Sequence, residues 1–209
     1  MNRQRIRVVK VGGSLLEWPR FPSAFQNWLA TEEPVPTVLV AGGGTLVERL
    51  RRADQELRFG QVTAHWMAIE MMGLTARRLQ GQLGLTDPAT QIEEAAARLV
   101  TEPVVVFDVR RLLQRDEQFT TKAARLPASW DVSADSIAAR LALALNAEAL
   151  VLLKSCVPEN CRGWREAAEG GYVDRYFPKI APAIGSVWCV NLRDPAFGKW
   201  ECSSVTEHA

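Results

Sequence analysis

Several features that define membrane, nucleic-acid-binding and secreted proteins are missing from this sequence. No run of about 18 apolar residues occurs, so no membrane-spanning helix is expected. The 25 Lys and Arg residues nearly balance 24 Asp and Glu residues, which gives a formal net charge of +1. Without a basic excess, the composition argues against a nucleic-acid partner. The basic N-terminus leads into an apolar stretch that Lys10 and glycines interrupt, which is not a signal-peptide pattern.

Known metal, redox and hydrolase signatures are missing as well. The four cysteines lack CxxC spacing, so we expect reduced thiols in a cytoplasmic protein rather than disulfides or a zinc site; they are Cys156, Cys161, Cys189 and Cys202. No GxxxxGK[ST], HExxH or nucleophile-elbow motif occurs. No GxGxxG occurs either, which disfavours a nicotinamide enzyme.

The 209 residues alternate short apolar strands with helical stretches, which predicts one α/β domain over residues 1–209. The predicted strands lie at residues 8–11, 37–41, 104–107, 149–153 and 187–190. The predicted helices lie at residues 21–29, 45–59, 61–83, 92–99, 137–145 and from 177. Residues 116–129 and 160–171 are polar and are predicted to be irregular. In the helix at 45–59, Leu46, Leu50, Ala53 and Leu57 are expected to form the buried face, with arginines opposite.

Two strand ends carry glycine turns. Lys10 stands in an apolar strand that runs into Gly12 and Gly13, and the strand at 37–41 runs into the triplet 42–44. Adjacent glycines let backbone N–H groups approach a phosphate, and a buried lysine is costly unless an anion meets it. The alternative is structural: a tight turn with a snorkelling lysine at the first site, and a flexible connection at the second.

Three further residues have both a functional and a structural interpretation. Ser133 is a good N-cap, and Asp135 falls in the first turn of the following helix, where the helix dipole favours a negative charge. His65 lies near the start of a long helix, as a packed side chain or a ligand-binding one. The same helix carries Met67, Met71 and Met72, which suit a core or a self-association surface.

The two glycine turns with Lys10, Lys179 and Asp135 form a phosphoryl-transfer set. Lysines and backbone N–H groups would stabilise the charge on the transferred phosphoryl oxygens, and the aspartate would hold both lysines in place and protonated. No carboxylate cluster is present, so we expect no protein-built metal site and Mg²⁺ held mainly by the nucleotide.

The order of these motifs resembles that of the amino acid kinase family. The segments that carry the resemblance are residues 10–14, 41–44 and 132–138, and Gly170-Gly171 followed by residues 177–179. The resemblance implies a three-layer αβα sandwich with a central, mainly parallel sheet, MgATP as donor, and a small molecule with a phosphate or carboxylate group as acceptor. It also favours a homo-oligomer, a dimer or larger.

The resemblance also implies roles for individual residues. Lys10 and Lys179 correspond to the two transition-state lysines, and Asp135 to the aspartate that organises them. Phosphate and nucleotide binding is expected at Gly12, Gly13, Ser14, Lys154 and Ser155. Acceptor binding is expected at Gly42, Gly43, Gly44, His65 and Ser133.

Among family members, the chain length and residues 65–68 and 190–195 are most similar to the aminomethylfuran methyl phosphate kinase of methanofuran biosynthesis. One segment departs from the family: residues 154–160 lack the carboxylates and glycine that many relatives carry at the nucleotide site. Two alternatives therefore stay open. One is a uridylate kinase-like enzyme, which the few arginines near the glycine turns disfavour. The other is a catalytically silent relative that binds a nucleotide or oxyanion as a subunit or regulator.

Overall fold

A single sheet organises the protein. The computed structural model describes residues 5–121, 125–158 and 161–201. Within them, the strands are β1 (Arg7–Val11), β2 (Thr37–Ala41), β3 (Val104–Val106), β4 (Ala149–Lys154), β5 (Ser186–Asn191) and β6 (Lys199–Glu201). They pair in the order β3-β2-β1-β4-β5-β6, and all neighbours are parallel except β5 and β6. The prediction of a central, mainly parallel sheet is confirmed.

Helices cover both faces of this sheet. They are α1 (Gly13–Leu16), α2 (Phe21–Thr31), α3 (Gly44–Leu57), α4 (Gln61–Leu83), α5 (Ile92–Arg98), α6 (Arg110–Phe119), α7 (Ala134–Ala144), α8 (Trp164–Glu169) and α9 (Phe177–Ile180), with a 3₁₀ turn at Ala181–Ala183. Two separate clusters of buried apolar side chains lie against the sheet. Because both faces are covered, β1 and β2 are buried along their whole length and read as continuous apolar runs.

Side-chain alternation determines which way the buried lysines face. In β1, Val8 packs in the cluster that contains α7, whereas Val9 and Val11 pack in the opposite cluster. Lys10 is two residues from Val8, so it faces α7. Lys10 is paired in register with Leu152 of β4, which packs on the α7 side. Lys154 therefore lies on the same face, one strand over and two residues further along.

Three sequence-based predictions of local structure were wrong. The first four residues of the stretch predicted irregular at 116–129 belong to α6, and the one at 160–171 contains α8. In α6 the apolar residues are only Leu112, Leu113 and Phe119, and α8 is six residues long, so neither segment carries an extended apolar pattern. In α3 only Leu50 is buried, whereas Leu46 and Leu57 are 39% and 67% exposed. The helix is a surface element that contacts the protein along a narrower face than its pattern indicates.

The cysteines and the helices bear on two further expectations. Cys156, Cys161 and Cys189 are free thiols, as expected, and Cys202 lies outside the described residues. Within the described residues, none of the helices combines the length and apolar character needed to cross a membrane.

Candidate active site

Three charged side chains meet at the carboxyl ends of β1 and β4. The Lys10 Nζ lies 2.8 Å from Asp135 Oδ1, and the Lys154 Nζ lies 2.9 Å from Asp135 Oδ2. Lys154 also donates a hydrogen bond of 2.7 Å to the Tyr172 carbonyl oxygen, and its Nζ lies 5.0 Å from the centre of the Tyr172 ring. The carboxylate of Asp135 thus joins two lysines from neighbouring strands to the first turn of α7.

Burial and mutual charge set the protonation of this cluster. Burial raises the pKa of the Asp135 carboxyl, but the charges of Lys10 and Lys154 outweigh that effect and lower the pKa to about 2. Burial lowers the pKa of Lys10, an effect that the charge of Asp135 opposes. Asp135 is therefore ionised at neutral pH, as a partner that keeps Lys10 protonated requires.

A second aspartate supports the cluster from behind. The Asp174 carboxylate accepts hydrogen bonds from the backbone N–H and hydroxyl groups of both Ser133 and Ser136. It also accepts from the backbone N–H groups of Tyr176 and Phe177. Burial raises the pKa of Asp174, and the negative charge of Asp135 adds to the effect. Asp174 thus ties the start of α7, and with it Asp135, to the start of α9.

This arrangement corrects the expected role of the Ser133 side chain. Ser133 does occupy the N-cap position of α7, but its hydroxyl forms no capping bond to the helix. It donates instead to Asp174 Oδ2 at 3.0 Å. The carboxylate of Asp174 accepts the N–H groups that the serine hydroxyl would otherwise cap.

The two glycine turns pack against each other. A Cβ added to Gly13 would lie 2.4 Å from both the Cα and the backbone N of Gly44, and one added to Gly42 would lie 2.9 Å from the backbone N of Gly13. The backbones of the two turns are therefore too close together for a residue with a Cβ at either position. The glycines are therefore needed for contact between the loops, whatever the loops bind.

Two cavities adjoin the charged cluster. The larger, of about 1100 Å³, has Asp135 and Lys154 in its wall, and the smaller, of about 370 Å³, has Lys10 in its wall. Four residues line both cavities: Glu48, Arg51, Trp130 and Ser133. The Lys10–Asp135–Lys154 cluster consequently lies between the two cavities, with one lysine in the wall of each.

The residues expected to bind phosphate or nucleotide are divided between the two cavities and the turn beside them. Gly13 and Ser14 line the smaller cavity, and Lys154 lines the larger one. The hydroxyls of Ser14 and Ser155 are 3.3 Å apart. Gly12 is buried against β4, where its N–H donates to the Leu153 carbonyl oxygen at 2.8 Å, so it serves the turn itself.

The residues expected to bind the acceptor all lie in the wall of the smaller cavity: Gly42, Gly43, Gly44, His65 and Ser133. His65 Nδ1 is 3.3 Å from the Ser129 carbonyl oxygen, so Nδ1 donates and Nε2 of the neutral ring is an acceptor. Burial lowers the pKa of His65, against the effect of the bond to Ser129. The ring is therefore neutral near pH 7.

The expected pairing of Asp135 with Lys179 is wrong. The second lysine on Asp135 is Lys154, and Lys179 is an exposed side chain with its Nζ 5.4 Å from the centre of the Tyr176 ring. Lys179 does line the larger cavity. The physical reason is alternation along β4, which directs Lys154 to the same face as Lys10, whereas Lys179 projects from α9.

Three residues at the site were not identified from the sequence: Arg51, Trp130 and Asp174. The Arg51 guanidinium carbon lies 4.6 Å from the centre of the Trp130 ring, and the Trp130 indole N–H donates to Asp54 Oδ2 at 2.7 Å. The sequence pattern predicts Arg51 on the solvent-facing side of its helix, opposite the apolar residues. Asp174 stands two residues before Tyr176, the N-cap residue of α9, and accepts from the backbone N–H of Phe177, the first residue of that helix.

No group of three His, Cys, Asp or Glu side chains among the described residues could hold a metal ion. Asp135 is occupied by two lysines, and Asp174 by six hydrogen-bond donors. The donor set of the described residues therefore does not fit a resident Mg²⁺ ion.

Comparisons with known proteins agree on the fold. A sequence profile described as "Amino acid kinase family" matches residues 5–156. No curated protein sequence matches the chain significantly. Among solved structures, UMP kinase from Bacillus anthracis has a TM-score of 0.64 at 13% identity, with 91% of this chain and 88% of that chain covered. UMP kinase from Ureaplasma parvum has a TM-score of 0.62 at 13% identity, with 92% of each covered.

A third solved structure, aspartate kinase from Synechocystis, has a TM-score of 0.57 at 14% identity, with 95% of this chain and 40% of that chain covered. At these identities the three structures establish the shared fold, and the profile match over residues 5–156 establishes the family.

Proposed function

The chain belongs to the amino acid kinase family, and on that premise we propose that it is an ATP-dependent phosphotransferase that acts on a small molecule. The acceptor group is a phosphate or a carboxylate. The observation that carries the proposal is the Lys10–Asp135–Lys154 cluster between two cavities, since phosphoryl transfer needs cationic groups where donor and acceptor meet.

In this proposal the nucleotide occupies the larger cavity and the acceptor the smaller one. Transfer is in line, so the phosphoryl group passes between Lys154 on the donor side and Lys10 on the acceptor side. Both ammonium groups stabilise the negative charge on the oxygens, and Asp135 fixes their positions before the reaction. Mg²⁺ enters with the nucleotide phosphates. Lys179 contacts the nucleotide from the wall of the larger cavity.

The biological acceptor we propose belongs to methanofuran-type one-carbon cofactor synthesis, which the sequence resemblance implies. Arg51 supports the uridylate kinase-like alternative, because it lines both cavities. The argument against a nucleotide acceptor was that few arginines lie near the glycine turns, and Arg51 removes that argument. A catalytically silent relative is the second candidate, and the unusual segment at residues 154–160 favours it.

The test compares MgATP binding and ATP-dependent phosphorylation in the wild type, Lys154→Met and Lys199→Met. Lys199 is the matched control, because it pairs with Glu201 in β6 and lies outside both cavities. With a panel of phosphate-monoester and carboxylate acceptors, we expect Lys154→Met to lower turnover by about 10²-fold or more and Lys199→Met to leave it unchanged. Wild-type protein that binds MgATP but phosphorylates no acceptor would support the silent relative.

A further inference from the structure

The carboxylate of Asp174 binds the start of α7 and the start of α9 at once. Its Oδ2 accepts hydrogen bonds of 2.9 Å from the backbone N–H groups of Ser133 and Ser136, and one of 3.0 Å from the Ser133 hydroxyl. Its Oδ1 accepts from the Ser136 hydroxyl at 2.5 Å and from the backbone N–H groups of Tyr176 and Phe177 at 3.1 and 2.9 Å. Each oxygen thus faces two backbone N–H groups, which cannot accept a hydrogen bond in turn. The geometry therefore requires the ionised form of Asp174.

Asp135 stands between the two serines that Asp174 binds. The backbone N–H groups of Ser133 and Ser136, on either side of Asp135 in the chain, both donate to the same Asp174 oxygen. The Ser133 side chain forms no capping bond to α7, so these N–H groups depend on Asp174 for a partner. The direction in which Asp135 leaves the first turn of α7 is therefore set by a carboxylate from another segment of the chain.

The segment that carries Asp174 also holds Lys154. Of the three N–H groups of the Lys154 ammonium, one donates to Asp135 at 2.9 Å and one to the Tyr172 carbonyl oxygen at 2.7 Å. Tyr172 precedes Asp174 by two residues. Both members of the Asp135–Lys154 pair are consequently tied to residues 172–174.

We propose that Asp174 is a positioning residue for phosphoryl transfer, which fixes Asp135 between Lys10 and Lys154 through the first turn of α7. This rests on the proposed function. Asp174 lies in the wall of the larger cavity, but six donors occupy its oxygens and a carboxylate repels phosphate. It therefore acts through Asp135 and not by contact with the nucleotide.

The protonation of Lys10 reports on this arrangement. Burial is the main cause that lowers the pKa of Lys10; the charge of Asp135 raises that pKa, the like charge of Lys154 lowers it, and the charge of Asp174 raises it. Removal of the Asp174 charge should therefore lower the pKa of Lys10, both directly and through any displacement of Asp135. A role confined to folding stability predicts no such change in the folded protein.

Asp174→Asn tests the proposal, with Asp116→Asn as the matched control. Asp116 is a buried aspartate that is also bonded to α7, through Arg140 at 2.7 Å, but it lines neither cavity. In protein with isotope-labelled lysine, the NMR shift of the Lys10 Cε atom against pH gives the pKa, and Lys10→Met assigns the signal. We expect a lower pKa for Lys10 in Asp174→Asn than in the wild type, and no change in Asp116→Asn.

Turnover is the second measurement. With an acceptor that the wild type phosphorylates, Asp174→Asn should lower kcat by about 10-fold or more and change the KM for MgATP by less than about 3-fold, because the displaced groups act on the transferred phosphoryl group. Asp116→Asn should lower the melting temperature without either kinetic change. If Asp174→Asn does not fold, Ser136→Ala replaces it, since this change removes one hydroxyl from Asp174 and keeps the carboxylate. We expect a lower kcat in Ser136→Ala and none in its control Thr120→Ala, which removes the hydroxyl bound to Asp116.

The proposal is overturned if Lys10 keeps its wild-type pKa in Asp174→Asn, if Asp116→Asn shifts that pKa equally, or if KM rises while kcat is unchanged. A wild-type kcat in Ser136→Ala has the same meaning where that variant is used. The pKa of Lys10 is measured without turnover, so the two proposals fail separately. A lower Lys10 pKa in Asp174→Asn, with no acceptor phosphorylated by the wild type, rejects the kinase but not the placement of Asp135 by Asp174. Wild-type pKa and kcat in Asp174→Asn, with turnover lost in Lys154→Met, reject the role of Asp174 and leave the kinase intact.

Discussion

At the scale of single residues, Asp135 holds together two cations that would otherwise repel each other in a buried place. The side chains of Lys10 and Asp135 are only 8% and 5% exposed. Removing one partner from a buried ion pair costs about 3 kcal/mol or more, because the remaining charge stays desolvated. The cluster is therefore stable only as a unit, with its net positive charge available to a phosphoryl group.

Asp135→Asn should lower both stability and turnover. The asparagine keeps the shape and removes the charge, so the free energy of unfolding should fall by about 3 kcal/mol. Without the carboxylate, the pKa of Lys10 falls further, so turnover should decline with rising pH at a lower pH than in the wild type. Denaturant titrations and pH–rate profiles measure the two effects. Asp87→Asn, an exposed change elsewhere, is the control, and wild-type profiles in Asp135→Asn would remove Asp135 from the mechanism.

His65 should make stability depend on pH below neutrality. Burial lowers its pKa in the folded protein, so the unfolded chain binds the proton more tightly. The stabilisation is fully present above the unfolded pKa of about 6.5 and is lost as the pH falls toward the folded pKa. Thermal melts between about pH 7.5 and 5 should show this loss in the wild type and a reduced loss in His65→Gln.

The other histidine in the sequence, His208, provides the matched control. If His208→Gln keeps the wild-type pH dependence of stability while His65→Gln reduces it, the titrating group is His65 in the cavity wall. Identical pH dependence in the wild type and His65→Gln would contradict the assignment.

At the scale of elements, the contact between the two glycine turns sets the distance between β1 and α3, and with it the width of the smaller cavity. Gly13→Ala would place a methyl group 2.4 Å from the backbone of Gly44. At least one of the two loops would have to move to accommodate it. We expect a loss of stability of about 1–3 kcal/mol and weaker binding of phenyl phosphate, a simple phosphate monoester.

Gly81→Ala is the matched control for Gly13→Ala. Gly81 lies in α4, where an added Cβ meets nothing within 4 Å. Alanine there should stabilise the helix by up to about 1 kcal/mol. Chemical denaturation measures both variants, and equal, small effects at the two positions would show that the loop contact does not limit stability.

The same elements show what sequence reasoning can reach. The bounds of β2 and α4 agree residue for residue with the sequence prediction, because glycines end both segments and their patterns are long or fully apolar. The glycine turns, Lys10 and Asp135 follow from local pattern in the same way. The pairing of Lys154 with Asp135 depends on strand register and on how α7 crosses the sheet, and no local pattern contains that information.

Arg51 is a second example of a site residue that local sequence pattern does not reveal. Its helix, α3, carries three arginines, Arg49, Arg51 and Arg52, and nothing in the pattern distinguishes the one that lines a cavity from those that face solvent. Trp130, which orients it, comes from a segment far away in the chain. Such a residue becomes visible only when the two segments are seen together.

At the scale of the whole molecule, α4 serves the smaller cavity as well as the outer surface. Met72 is buried and lines that cavity, whereas Met67 is 37% exposed. The methionines therefore do not form one continuous seam. Self-association stays a prediction, and light scattering of the purified protein measures it.

The arrangement of two cavities on either side of one charged cluster makes a prediction about the protein as a whole. If donor and acceptor bind in separate spaces, MgADP and phenyl phosphate should bind together, because MgADP leaves the position of the transferred phosphoryl group open. Each ligand at about 100 times its Kd should add about 2.7 kcal/mol to the free energy of unfolding, and both together should add the sum. Denaturant titrations with either ligand, both and neither measure this. Mutual exclusion, seen as no gain beyond the tighter ligand, would mean that the two cavities act as one site and that the lysines do not lie between donor and acceptor.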